Sequence, residues 1–291
     1  MADRIVPGDV AIVGNGAAAR ALASDLAARG VEVAIFPSPD KAGAEHRFVV
    51  CFNPPEPDAA HGPGDGSRFY AGAALRPHLA DPNAADALAH DDARNLGWKL
   101  ALVVRDTAPA ALLDSYERER GAVEPGAPID YATSPLTSQF GIDKKFRAGP
   151  LPGAAMIDAP VRITGRADPV PLADVCGGGF SALFFTGDYD ALPAPLTEGL
   201  QGFQSAEVPL SVIVISAAET AALGDFPLVA DTERALHRRY GAMTGAFYLV
   251  RPDGVIAARW QHPSLDAISA ALRRATGHTD ASARPARSSG W

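Results

Sequence analysis

The chain has 291 residues, 47% of them apolar and 21% charged, which is enough for one large or two ordinary hydrophobic cores and excludes wholesale disorder. A net charge of -8 excludes a general nucleic-acid binder, which needs clustered positive charge, but not a small anion held by backbone amides. Cys51 and Cys176 stand far apart and in no C-x-x-C pattern, which excludes a disulfide scaffold and a cysteine-rich zinc module.

The opening MADRIVPGDVAIVGNG runs straight into a strand pattern, so no signal peptide is expected. No apolar run approaches the roughly 20 residues of a membrane helix, and a cytoplasmic protein with no membrane partner is the expectation. The run Val10, Ala11, Ile12, Val13 predicts a buried parallel strand, broken by Gly14-Asn15-Gly16. Residues 17–29 are helix formers with apolar Ala18, Leu22, Leu26 and Ala27, and Gly30 stops the helix. Val31, Val33, Ile35 and Phe36 make a second strand, which completes a βαβ unit with an expected right-handed crossover.

Residues 37–67 scatter Pro37, Pro39, Pro54, Pro55, Pro57 and Pro63 among Gly and Asp, and only His46–Phe52 reads as a strand. A further strand fits Arg68–Ala71. Helices are predicted over about 83–105 and 108–123. Residues 124–160 carry Pro and Gly at short intervals and read as an interdomain arm. Beyond it, Phe180–Thr186 and Leu210–Ser216 are strong strands. Phe247–Arg251 and Val255–Trp260 form a hairpin around Pro252-Asp253-Gly254. Thr232–Tyr240 and Ser264–Thr276 read as helices, and 279–291 as a flexible tail.

Gly14-x-Gly16-x-x-Ala19 follows a strand and opens a helix, the context of a nucleotide diphosphate site. The first Gly permits the tight turn, the second admits a phosphate close to the backbone, and the helix end supplies amides. Gly14, Gly16 and Ala19 are therefore the expected residual cofactor loop. A working dinucleotide site also has an acid at the end of the second strand, for the ribose. Here that position is Pro37, with Asp40 three residues late; Ser38 and Lys41 are the alternative partners, for a 2′-phosphate. The expectation is a scaffold that holds no cofactor, or FAD if the residual site works.

The stretch LAHDDARNLGWKLALVVRDTAPAALLDSYERER, residues 88–120, resembles the FAD-dependent aromatic hydroxylase family, the para-hydroxybenzoate or phenol hydroxylase type. Asp92, Ala93, Asn95, Leu96, Trp98, Lys99, Leu100 and Ala101 fit its D-A-x-N-L-x-W-K-L-A helix. Leu112, Leu113, Asp114, Tyr116, Glu117, Glu119 and Arg120 fit its L-L-D-x-Y-E-x-E-R helix. Family members often end in a thioredoxin-like domain, and residues 238–260 look like the closing segment of one. The resemblance implies an α/β chain: a reduced Rossmann-like, FAD-binding-type domain over 1–123, a linker arm over 124–150, a thioredoxin-like domain over 151–278 and a tail over 279–291.

Three departures weigh against ordinary hydroxylation. The family's Gly-Asp-Ala-Ala-His flavin motif falls on Gly72-Ala73-Ala74-Leu75-Arg76, so its Asp is Ala73. The Gly-rich loop after it becomes residues 81–87, without glycine. The long segment that carries the family's substrate-binding sheet is reduced to residues 37–67. DAAHGPG at 58–64 mimics the lost motif, without a strand before it, and is read as coincidence. A hydroxylating flavin must be shielded from water, and nothing here is large enough to build that shield.

In the thioredoxin-like half, redox chemistry would need a low-pKa cysteine after the first central strand. Gly187-Asp188-Tyr189-Asp190-Ala191 stands there, and Cys176 precedes the strand, so no redox activity is expected. The seven His residues show no zinc spacing and no metal is expected; G-x-S-x-G is absent. Asp91, Asp92, Arg94 and Lys99 are read as one solvated helix face; Asp114, Glu117, Arg118 and Arg120 are read as another. If the chain has chemistry, His78 is the first guess for acid/base work and Arg76 for anion binding, beside the Gly14–Gly16 loop in a cleft between the domains.

The leading reading is a degenerate hydroxylase relative that does not hydroxylate. It would bind or act on an aromatic or polyketide-like ligand without cofactor, or serve as accessory to an oxygenase partner or as a homodimer. The alternative is a compact FAD-dependent monooxygenase completed by a partner chain. A purely structural or interaction module is the third.

Overall fold

A computed structural model of the chain describes residues 9–14, 16–37, 48–51, 68–71, 74–75, 82–138, 146, 148–187, 194–218 and 225–278. The chain divides into two compact units, Met1–Ala127 and Pro128–Trp291.

In the first unit β1 (Val10–Val13) is wholly buried, as a run apolar at every position must be. α1 (Ala17–Ala28) follows, then β2 (Val33–Phe36), β3 (Phe48–Cys51) and β4 (Arg68–Tyr70). The sheet order is β2-β1-β3-β4, parallel throughout, with Val13 level with Phe36 on one side and Cys51 on the other. α1 buries Ala18, Ala19, Leu22 and Leu26 at helical spacing.

α2 (Pro82–Val104) is the long helix of this unit, and α3 (Asp114–Arg120) follows a single 3-10 turn at Ala110–Leu113. From Leu88 to Val103 most of α2 is buried. It closes on α1 at Gly97, where an added Cβ would stand 2.6 Å from an Asp25 carboxylate oxygen and 3.1 Å from Leu22. That close approach explains a glycine in mid-helix, where it otherwise costs about 1 kcal/mol.

The second unit adds β5 (Pro160–Ile163), β6 (Val170–Pro171), α4 (Leu172–Cys176), β7 (Phe180–Phe185), α5 (Ala194–Gln204), β8 (Leu210–Ser216), β9 (Leu228–Ala230), α6 (Ala235–Arg239), β10 (Ala246–Val250), β11 (Ile256–Trp260) and α7 (Leu265–Ala275). Its sheet order is β11-β10-β7-β8-β9-β5-β6. β7, β8 and β9 are parallel; β10 runs antiparallel to β7 and β11 to β10. One face buries Leu183, Phe185, Ile213, Ile215, Val229 and Tyr248 with α4 and α6. α7 is capped by Ser264, whose side chain accepts from the Ala267 N–H. It meets α5 at Gly199, where a Cβ would strike Leu265.

The described part of 128–150 belongs to the second unit and packs on its sheet. Tyr131 N–H donates to Gly153 O (2.9 Å) and Ser138 N–H to Ala257 O (2.8 Å). The Arg259 guanidinium donates to the carbonyls of Phe146 (2.8 Å) and Ala148 (2.6 Å) and stacks 4.3 Å over the Phe146 ring. Arg251 pairs with Asp253 at the hairpin turn and lies 5.5 Å over the Tyr131 ring.

One expectation is corrected here. The two solvated helix faces are in part buried: Asp92 and Lys99 are 0% exposed and Arg120 is 1% exposed. Arg120 Nε stands 2.7 Å from Asp92 Oδ1, and Lys99 Nζ stands 2.7 Å from Glu119 Oε2. Asn95 joins the second pair, donating to Glu119 and accepting from Lys99, at 2.7 Å each. Asp92, Asn95 and Lys99 share one stripe of α2, and that stripe faces α3 rather than water. Arg94, Asp114, Glu117 and Arg118 are exposed, as a solvated face requires.

Candidate functional site

The turn after β1 is where the backbone is arranged for a ligand. Gly14 has φ +130, a region that favours glycine, and its N–H donates to Phe36 O (2.9 Å), tying the turn to the end of β2. Gly16 caps α1 with extended backbone (φ −67, ψ 175) and, as a glycine, brings no side chain of its own to the first helical amides. A Cβ built on Gly16 meets nothing within 4 Å among the described residues, so the space at the start of α1 is open there. Ala19 is fully buried, which seats the helix start close to β1. Amides and the positive helix end therefore converge on one exposed spot, a geometry suited to a diphosphate.

The neighbouring position is different in kind. β2 ends at Phe36, whose carbonyl is the one bonded to Gly14, and the next residue is the exposed Pro37. Proline offers no side-chain acceptor and no N–H to a ribose. Among the described residues, the glycine turn thus fits the diphosphate of FAD, and Pro37 offers nothing to its adenosine ribose. Ser38, Asp40 and Lys41 lie outside the described residues, as do Gly72, Ala73, Arg76 and His78. Ala74 and Leu75 are described, in a turn where Ala74 N–H donates to Ala71 O (3.2 Å).

α2 and α3 stand beside this sheet as a clamp. Tyr116 on α3 donates its hydroxyl to Tyr70 O at the end of β4 (2.7 Å), and its ring meets Phe69 edge-on at 6.4 Å. The two buried ion pairs fix α3 on α2, and α3 fixes β4. The residues that match the hydroxylase helices are therefore the ones that hold the sheet and helices together.

In the second unit, Cys176 ends α4 and is buried. Burial pushes its thiol up to about 11, against a lowering hydrogen bond from Ser181. A thiol this basic is protonated and slow to attack. Iodoacetamide at pH 8 should leave Cys176 unmodified in the native protein and modify it in urea, read peptide by peptide in a mass spectrometer. Rapid native alkylation of the Cys176 peptide would contradict its burial.

His237 has the polar partner that the sequence reading did not give it. Its Nδ1 lies 2.7 Å from Asp231 Oδ2, and the backbone N–H of Ala235 and of His237 also donate to the Asp231 carboxylate. The signal was an Asp four residues before a helix of five, too short to show periodicity. Burial works to raise the Asp231 carboxyl, but the His237 ring and the backbone N–H groups outweigh it and hold it below the usual range. A lowered folded pKa contributes stability above the unfolded value, about 3.9, and that contribution is lost as pH falls through the folded value. Urea midpoints of the second unit should drop between pH 5 and pH 3, and Asp231→Asn should flatten that drop while lowering the midpoint at pH 7.

Among the described residues no group of three or more His, Cys, Asp and Glu is placed to hold a metal ion. No described helix is long and apolar enough to cross a membrane.

The sheet and its glycine turn form a βαβ-type α/β unit, and comparison with known proteins shows what it is similar to. Residues 69–127, which contain the last two residues of β4 and all of α2 and α3, match the family model of the FAD binding domain. The 12-dehydrotetracycline 5-monooxygenase/anhydrotetracycline 6-monooxygenase of Streptomyces rimosus is 44% identical over 62 residues, 21% of this chain and 12% of that protein. The 6-methylpretetramide 4-monooxygenase of Streptomyces rimosus is 26% identical over 268 residues, 76% of this chain and 48% of that protein. Among solved structures, aklavinone-11 hydroxylase with FAD and aklavinone aligns with a TM-score of 0.53 and 22% identity over 73% of this chain and 44% of that one. The chain spans half or less of the length of the curated relatives it matches. The likeness to the solved structure is one of fold, and it supports the FAD-binding-type α/β architecture.

Proposed function

We propose that the chain is a homologue of flavin-dependent aromatic monooxygenases that does not hydroxylate. In this reading it binds an aromatic, polyketide-like ligand, as accessory to an oxygenase or in chemistry that needs no cofactor. The observation that carries it is Pro37 at the end of β2, where a dinucleotide needs an acceptor. Ala73 in place of the flavin motif's Asp, and the short 37–67 span where relatives hold a substrate sheet, point the same way. The ligand class is supported by the relatives, which by name act on tetracycline-type aromatics.

The second unit is proposed to be thioredoxin-like, on its order of β7-α5-β8, a β10–β11 hairpin and α7, with the hairpin beside β7. With a buried, basic thiol at Cys176 its role is assembly, not redox exchange. His78 and Arg76, outside the described residues, remain proposed for acid/base and anion-binding roles respectively.

A second reading, a compact FAD-dependent monooxygenase completed by a partner chain, is favoured by one observation: Gly14 keeps its positive φ and Gly16 leaves the start of α1 open. Reductant oxidation separates the two. With FAD in excess and NADH or NADPH supplied, the protein should consume no more reductant than FAD alone, with or without added aromatic polyketides. Protein-dependent oxidation stimulated by an aromatic ligand would overturn the first reading in favour of the second.

A further inference from the structure

The seven-stranded sheet ends at β11, and the outer side of that strand is taken up by an earlier segment of the same unit. Ile256 turns both of its main-chain groups outward. Its N–H donates to Ala154 O (2.9 Å) and its carbonyl accepts from the Gly153 N–H (2.8 Å). Ala257 O accepts from the Ser138 N–H and Gly254 O from the Met156 N–H, at 2.8 Å each. Ala155 bridges Val255 in the antiparallel sense. The described residues of 130–156 therefore form a strap along the edge. Two arginines hold it. Arg259, on β11 itself, grips the carbonyls of Phe146 and Ala148, and Arg251, just past β10, lies over the Tyr131 ring.

Under the strap the edge has few of the usual guards. Ile256–Trp260 reads IAARW, without Pro, Lys or Glu, and its one charge, Arg259, is engaged by the strap. Once bare, its N–H and C=O groups need new partners, in water or in another strand. Ile256, with donor and acceptor on the same side, stands at a hydrogen-bonding position of an antiparallel ladder, where two facing residues exchange both bonds. Two copies of this edge are thus complementary about a two-fold axis.

We infer that the strap is an autoinhibitory cover on a latent self-association surface, the outer edge of β11. The partner that this edge takes when the strap is displaced is a second copy of the chain, paired strand to strand at Ile256. Arg259 acts twice here: it pins the strap, and it is the one charge that would blunt the bare strand. Arg259→Ala removes both and should drive association. Gly153→Val reaches the edge by another route. Gly153 has φ +95, and a Cβ there would strike Tyr131 and Ala132, so the strap breaks while every strand residue stays.

The experiment uses the full chain and these two variants, with light scattering for mass and amide hydrogen exchange at two concentrations. In the wild type the Ser138, Met156 and Ile256 amides should be protected, and equally so at both concentrations. In the variants the Ser138 and Met156 amides should exchange faster throughout, and the mass should rise to twice that of the wild type. The Ile256 amide should then slow about tenfold between about 2 µM and about 200 µM, by mass action. If Arg259→Ala does not fold, Gly153→Val decides. Four results overturn the inference: wild-type mass in a folded variant whose strap amides are released; association that leaves Ile256 exchange independent of concentration, which places the contact elsewhere; strap amides still protected in both variants; or unfolding of both, which makes the strap a part of the fold rather than a cover on it. Flavin retention would overturn the non-hydroxylating reading and leave this one as it stands.

Discussion

Glu119→Ala unfolds the first unit well before the second. The substitution takes from the Lys99 ammonium, 0% exposed, the carboxylate that stands 2.7 Å away. Removing one partner of a buried ion pair typically costs about 3–5 kcal/mol, because the remaining charge is uncompensated. Domains are stable by about 5–15 kcal/mol in all, so this loss is a large share of the total. Asn95 also gives up its acceptor on Glu119, which deepens the effect. The double variant Lys99→Met with Glu119→Leu should recover most of the stability, since replacing both charges removes their desolvation cost. Thermal or urea unfolding of the two proteins reads the difference. A loss under 1 kcal/mol for Glu119→Ala would show that the pair is wet and the α2–α3 clamp is loose.

Arg259→Ala has the second large effect, in the second unit. One guanidinium satisfies the carbonyls of Phe146 and Ala148, with longer contacts to Gly149 (3.3 Å) and Pro150 (3.2 Å), and it covers the Phe146 ring. Each buried acceptor left bare costs about 1–3 kcal/mol, and the lost cation–π contact adds to that. The expected loss is therefore about 3 kcal/mol or more. Limited proteolysis should find the new weakness near residues 146–150 before the sheet itself is cut. Arg259→Lys should rescue little, because a point charge cannot fork to several carbonyls. Unchanged stability with unchanged proteolysis would mean that the strap is not part of the cooperative unit.

Much of the architecture could be read in the residues. The apolar run at 10–13, its glycine break and the helix formers after it leave few alternatives to a βαβ unit, and β1, α1 and β2 lie where they predict. Pro252-Asp253-Gly254 marks the β10–β11 hairpin for the same local reason. The elements that were missed lack local signals. β9 has three residues and follows Pro227; β5 begins at Pro160, and β6 has two residues. α5 contains Gly199 and Gly202, poor helix formers, and the first of them is explained only by the approach of Leu265 on α7.

The charged stripes show a different limit. Asp92 and Lys99 look like any solvated helix face in composition. Their burial follows from α3, which brings Glu119 and Arg120 to the same stripe from across the unit. Of the site, the glycine turn and Pro37 at the end of β2 were both legible, because each depends on one residue at one step of a βαβ unit. The His237–Asp231 pair was not, since it depends on the end of β9 meeting the start of α6.

In the proposed function, a FAD-binding-type architecture persists without the contacts that retain FAD. The most direct measurement is the visible absorbance spectrum of the purified full chain, before and after incubation with excess FAD and rapid desalting. The account predicts no flavin band in either state, from a protein whose circular dichroism shows it folded. A flavin band that survives desalting in stoichiometric amount would contradict it, and would mean that the acceptor missing at Pro37 is supplied from elsewhere.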